Sequence, residues 1–181
     1  QKILSLIEQS KVAIQTMGLE VSGPLRIGTI NSIGLHLIGP VFRLFLKSNK
    51  NVKVQLHYSS GIDLLKKLEK GELDLAVLPD ISREYGTSAE EFQSELISKD
   101  EMWLVTAGSD REAPSSTSLH EYSRNPVIQL TEQFPGFENQ VAREVKRVGG
   151  HLRPVFESSN VGTLKRMIES GLGWGFLPRH S

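Results

Sequence analysis

The sequence predicts an α/β fold of two parallel-sheet lobes, on three observations. Short apolar runs that read as strands alternate with segments of helical periodicity, the helical segments stop at glycines, and the whole rhythm occurs twice, over residues 23–79 and again from Pro126 to Pro178. Successive βαβ units make parallel strands, and parallel sheets hold their ligands beyond the carboxyl ends of those strands. Function is therefore expected at the loops that leave the strands and enter the helices.

In the first half, Gly23 to Thr29 is an extended run that ends in the polar turn Thr29–Ser32. Leu35 to Leu46 follows as a helix that is apolar on more than one face, which predicts burial against its own sheet and against a second surface such as another subunit. Pro40 is expected in its first turns, where a missing N–H does least harm. Val52 to Tyr58 alternates with period two. Ser60 with Asp63 three residues on is a capping box, Leu64, Leu65 and Leu68 form the helix stripe, and Gly71 stops it before the apolar run Leu73–Leu78.

Residues 79–92 read as a polar loop with a helical patch near Ala89–Phe92, followed by two short strands, Glu95–Ser98 and Met102–Ala107. Gly108 to Thr117 is a loop and Leu119–Tyr122 a helical turn. The second α/β rhythm then runs through the strand Val127–Leu130, the turn-rich loop Thr131–Gly136, and a helix carrying Phe137, Val141, Val145 and Val148 that stops at Gly149-Gly150. Pro154–Glu157 is the next strand; Asn160 caps a helix bearing Val161, Leu164, Met167 and Ile168, and Trp174–Leu177 closes the series.

Composition excludes several classes. The 21 basic residues are cancelled by 21 acidic ones, so no basic stripe marks the chain as a nucleic-acid binder by itself. Without cysteine there is no disulfide, thiolate metal site or cysteine nucleophile, and an intracellular setting is expected. No apolar run reaches the roughly 18 residues of a membrane span. The five histidines never fall at metal-ligand spacing, Ser32 lacks the nucleophile-elbow glycine at position 30, and Gly171-Leu172-Gly173 lies between helix and strand in the wrong order for a dinucleotide loop. No catalytic residue, metal or cofactor is expected.

What remains is a set of hydroxyl and amide residues at helix starts: Thr29, Asn31 and Ser32 in the first loop, Ser60 and Gly61 in the second, Thr131 in the other lobe. Helix N-termini offer unpaired N–H groups and partial positive charge, so these six residues predict a site for a carboxylate or other small anion. Taken singly, each also reads as a plain cap contributing about 1 kcal/mol. His57 and Arg153 are weaker candidates, equally readable as solvated surface positions. Residues 1–17 predict an amphipathic helix with Ile3, Ile7, Ser10, Ile14 and Met17 on one seam, which suits a coiled coil or packing on its own domain.

Four stretches in order carry a family likeness: Gly23–Gly28, the helix through Leu37-Ile38-Gly39-Pro40, Leu64–Val77, and Gly171–Pro178. Together they resemble the effector-binding domain of LysR-type transcriptional regulators, over nearly all of residues 18–178. The resemblance implies two Rossmann-like lobes of the type 2 periplasmic-binding-protein fold, preceded by part of a linker helix: 1–20 as the linker end, 21–98 as lobe I and 99–178 as lobe II. It implies a small effector between the lobes, with its polar contacts at Ser32, at Ser60 or the Gly61 backbone, and at Thr131. It also implies a homodimer or tetramer formed through the linker helix and the Leu35–Leu46 helix, in the cytoplasm. Operator DNA would be met only through an amino-terminal winged helix-turn-helix that this chain lacks, and a return segment completing lobe I is expected beyond Ser181. A solute-binding protein of a transport system shares the fold and is the alternative; an enzyme on this fold would need a Lys, Asp or Arg cluster that the sequence does not display.

Overall fold

The computed structural model describes residues 21–80, 92–108 and 116–181. The helix expected over residues 1–17 and most of the helical patch expected near residue 89 lie outside them. Two sheets organise the rest. The first has the order β2-β1-β3, with β1 (Gly23–Thr29) central and parallel to both β2 (Val52–Tyr58) and β3 (Leu75–Val77). The second has the order β4-β7-β5-β6, in which β5 (Val127–Leu130) is parallel to β6 (Pro154–Ser158) and β7 (Trp174–Pro178), and β4 (Met102–Val105) runs antiparallel to β7.

The expected single helix over Leu35–Leu46 is two: α1 (Asn31–His36) and α2 (Ile38–Ser48), broken at Leu37. Pro40 explains the break. It has no N–H to give the carbonyl of His36, and its ring would collide with that carbonyl in a continuous helix. It sits in the first turn of α2, where the defect is harmless. Ile38 of α2 is buried and Phe42 packs against the same cluster, while Val41 and Leu44 are 62% and 66% exposed. The expected strand at Glu95–Ser98 does not form: no strand lies alongside among the described residues, and Leu96 and Ile97 stand 71% and 74% exposed.

The helices α3 (Gly61–Glu69), α5 (Pro135–Arg147) and α6 (Val161–Glu169), with the short α4 (Leu119–Tyr122) between, follow the predicted stops. At α3 the Gly71 N–H donates to the Leu68 carbonyl and the Glu72 N–H to that of Lys67, each at 2.9 Å; at α6 Gly171 and Leu172 repeat the pattern on Ile168 and Met167. This double bond requires a positive φ at the glycine, observed at 68° for Gly71 and 81° for Gly171. Gly28 meets a different demand. A Cβ there would lie 2.6 Å from a methyl of Leu73 and 2.7 Å from one of Leu64, so the bare backbone of β1 is what lets α3 close on the sheet.

Each lobe has its own core. Ile30, Ile33 and Ile38 are packed by Phe42, Leu56 and Val77 in the first, and Ile128, Leu130, Leu164 and Ile168 meet Phe156 and Met167 in the second. Phe134 packs against both clusters and is an apolar tie between the lobes. Where the chain leaves β7, the Arg179 N–H donates to the Glu101 carbonyl at 2.8 Å and His180 Nδ1 meets the Asp100 carboxylate, so this exit is fastened to the approach to β4.

A bidentate pair anchors the edge of the first sheet: Arg26 Nη2 donates to Asp74 Oδ1 at 2.7 Å and Arg26 Nε to Oδ2 at 3.2 Å, while the Arg26 N–H donates to the same carboxylate at 2.7 Å. These donors hold the Asp74 carboxyl below its ordinary value. A carboxyl depressed in the folded state adds stability above its unfolded pKa and loses it as pH falls through the folded value. Asp74→Asn should lower Tm slightly at pH 7, and the difference from the parent should vanish in acid; a gap that persists with Asp74 protonated would show that the pair is not its source.

Candidate functional site

The carboxyl ends of β1, β2, β5 and β6 face one another across a cavity of ≈ 630 Å³. The first lobe lines it with Asn31, Tyr58 and the turn Ser59–Asp63; the second with Glu132, Gln133, Pro135 and the pair Ser159-Asn160. Each wall is a loop leading into a helix, as the βαβ repeat dictates.

Several of the N–H groups at the helix starts of this cleft are engaged by protein oxygens. Ser60 is the N-cap of α3, its Oγ accepting the Asp63 N–H at 3.3 Å and donating to Asp63 Oδ2 at 2.9 Å; Ser59 Oγ reaches the same carboxylate at 3.3 Å. Asn160 caps α6 through the Thr163 N–H at 2.9 Å. The remaining contacts cross the cleft. Asn31 Oδ1 accepts the Val161 N–H of α6 at 3.2 Å, and Gln133 Oε1 accepts the Ser32 N–H of α1 at 3.3 Å. Each lobe thus lends a carboxamide to the first turn of a helix in the other, where N–H groups have no intrahelical acceptor.

The six residues expected at the site separate. Asn31, Ser60 and Gly61 line the cavity. Ser32 lies in the first turn of α1 beside Asn31, 0% exposed, with an Oγ that has no hydrogen-bond partner. Thr29 is engaged elsewhere: its buried hydroxyl donates to the Val77 carbonyl at 2.9 Å and fastens β1 to β3. Thr131 does not begin a helix. Its N–H donates to the Ser158 carbonyl within the sheet, and α5 starts later, with Phe134 as N-cap and Pro135 in the first position. His57 and Arg153 are exposed and stand apart from the lining.

Gln133, Glu132, Ser159 and the α6 amide are the second lobe's contributions that the sequence did not single out. Gln133 is 5% exposed, and Glu132 is the one non-glycine with positive φ among the described residues, at 63°, a conformation that costs on the order of 1 kcal/mol and is held by its neighbours. Glu138 accepts the Phe134 N–H at 3.2 Å; burial pushes its carboxyl up, against backbone donors at Phe134, Glu132 and Gln133 that pull it down. Among the described residues no group of three or more His, Cys, Asp or Glu is placed to hold a metal ion, and no helix is long and apolar enough to cross a membrane. The lining combines hydrogen-bonding amides, hydroxyls and carboxylates with the apolar side chains of Ile62 and Pro135.

The family model of the LysR substrate binding domain matches residues 19–181. The chain belongs to that family. LysR substrate-binding domains are modules of transcriptional regulators and not enzymes, and the solute-binding-protein reading is not favoured. Curated relatives include a hydrogen peroxide-inducible genes activator of Haemophilus influenzae, 22% identical over 97% of this chain and 57% of its own length. A malonate utilization transcriptional regulator of Klebsiella pneumoniae is 22% identical over 98% of this chain and 57% of its own. The chain therefore spans little more than half the length of these relatives. The C-terminal domain of a probable LysR family regulator from Rhodococcus sp. RHA1 shares the fold, with a TM-score of 0.73 and 21% identity over 87% of this chain and 74% of that one. The type 2 periplasmic-binding fold follows.

The cross-cleft bonds should act as one latch. Asn31→Ala and Gln133→Ala each should cost about 1 kcal/mol in urea unfolding, the ordinary worth of a hydrogen bond to a helix-end N–H. Because both tie the same two bodies, the double variant should lose less than the sum by more than about 0.5 kcal/mol. Strict additivity would mean that the two bonds do not report one lobe arrangement.

Proposed function

We propose that this domain is the ligand-sensing and dimerising part of a LysR-type transcriptional regulator, binding a small polar effector between its lobes and thereby altering how the full-length protein engages DNA. The observation that carries this is the ≈ 630 Å³ cavity walled by helix-entry loops of both lobes. A ligand touching both walls favours one arrangement of the lobes over another by its differential affinity, and the subunit interface passes that preference on. Operator recognition belongs to a winged helix-turn-helix outside this chain, acting in the cytoplasm.

Support for self-association comes from α2. Its inner face is anchored by Ile38 and Phe42, while Val41 and Leu44 are exposed on an element that sequence periodicity marks as apolar on more than one face. A second copy of the domain covers this face in the proposed homodimer, which a tetramer would contain. Leu44→Glu should shift the sedimenting species to monomer while the far-UV circular dichroism stays that of the folded parent; a variant that still sediments as a dimer would place the interface elsewhere.

Effector binding is tested by a thermal-shift screen of small polar molecules on this chain, repeated on Ser32→Ala. A ligand at about a hundred times its Kd adds about 2.7 kcal/mol of apparent stability. Ser32 Oγ is buried without a partner, so its removal should leave the unliganded Tm unchanged or slightly higher. The ligand-induced shift should shrink in the same variant. An equal shift in parent and variant would remove Ser32 from the site.

A further inference from the structure

We infer that His36 and His180 form a proton-responsive contact between the lobes, so that mild acid shifts the domain away from its present lobe arrangement. The two rings come from different bodies. His36 ends α1 in the first lobe and His180 follows β7 in the second; their centroids lie 6.2 Å apart, with the planes tilted by 55°. α1 packs against α6, and its two ends meet the second lobe in different ways. The start of α1 carries the Asn31 bond to the Val161 N–H of α6, a bond between neutral groups that mild acid leaves untouched. The end of α1 sets one histidine against another.

The surroundings decide what a proton does there. Asp100, from the approach to β4, meets His180 Nδ1, and a carboxylate can only accept, so Nδ1 carries the hydrogen. The other nitrogen of that ring, Nε2, is buried without a partner, on a side chain only 10% exposed. A second proton on His180 would create an N–H with nothing to receive it while the contact stays shut. The charges acting on His36 are those of His180 and of Lys165 on α6, and both repel a proton. Arg179, beside His180, is turned to Glu101 and the Trp103 ring, and Tyr58 of β2 presses on α1 at Gly34. Burial, and then the charges of His180 and Lys165, hold the His36 imidazole below its ordinary pKa, although a helix end by itself favours positive charge.

Separating the lobes wets both rings and parts His36 from His180 and Lys165, so the opened arrangement takes up protons more readily. A histidine held below its ordinary value contributes stability above about pH 6.5 that is lost as pH falls through that value. The proton is then a ligand with different affinity for two lobe arrangements.

The test uses this cysteine-free chain with spin labels at Lys66→Cys on α3 and Arg143→Cys on α5, one on each lobe. Between about pH 7.5 and 5.5 the inter-label distance distribution should shift, and His36→Gln should lose most of that shift. By proton NMR the His36 ring should titrate below about 6.5 in the parent and closer to it in Lys165→Gln, which leaves both rings in place. A packing role alone would not tie the His36 titration to Lys165. His57, His120 and His151 are exposed and remain in His36→Gln, so a response that survives there belongs to them and overturns the inference. A distance distribution that does not change over this range, or a His36 that titrates as an ordinary surface histidine, overturns it as well.

Discussion

The constraint on which the site depends is the unmet hydrogen-bonding capacity of helix first turns. A parallel sheet delivers several helix starts to one edge, and two lobes facing each other double the number. In this chain Asn31 and Gln133 answer part of that need across the cleft, on Val161 and Ser32. Neither lobe meets the need of its own helices at these positions. The contact between lobes is therefore more than apposition of surfaces, because separating them strands donors on both sides unless water or a ligand enters. Phe134 adds an apolar tie beneath, packing on both cores.

The lobes share a working plan and differ at its margins. Ser60 and Asn160 cap α3 and α6, and Gly71 and Gly171 end those helices by the same pair of backbone bonds. The Asp74 N–H reaches the Arg26 carbonyl and the Trp174 N–H the Pro126 carbonyl, each at 2.8 Å, where the closing strand docks on the central one. The second sheet adds antiparallel β4, fastened to the exit from β7, for which the first sheet has no counterpart among the described residues. Rigid repeats behind, and loops of unlike composition in front, let one scaffold present two different walls.

Much of this was legible in the residues because it is local. The Ser60 and Asn160 caps, the glycine stops and the period-two strands all follow from neighbours in sequence, and the structure has them; of the capping box expected at Ser60 and Asp63 it has the Ser60 half, the Asp63 carboxylate taking the Ser59 and Ser60 hydroxyls. The break at Leu37 was also within reach, since Pro40 denies the His36 carbonyl its donor. Gln133 was not legible. Its importance lies in the Ser32 amide 101 residues away, and no periodicity announces such a partner. Thr131 took its place in the reading because hydroxyls favour helix starts, whereas Pro135 set the start later. Thr29 misled for a related reason: its acceptor, the Val77 carbonyl, belongs to the strand beside it and not to the helix ahead.

One consequence lies in the placement of the tryptophans. The chain has two, Trp103 on β4 and Trp174 on β7, both in the second sheet and neither lining the cleft. Trp103 carries the Arg179 guanidinium 5.3 Å from its ring centre, beside the point where the chain exits β7. The indole emission of this domain thus looks at the back of one lobe and at its exit strand. Among the described residues the one aromatic ring lining the cavity is that of Tyr58, which presses on α1 so closely that a Cβ at Gly34 would lie 2.3 Å from it.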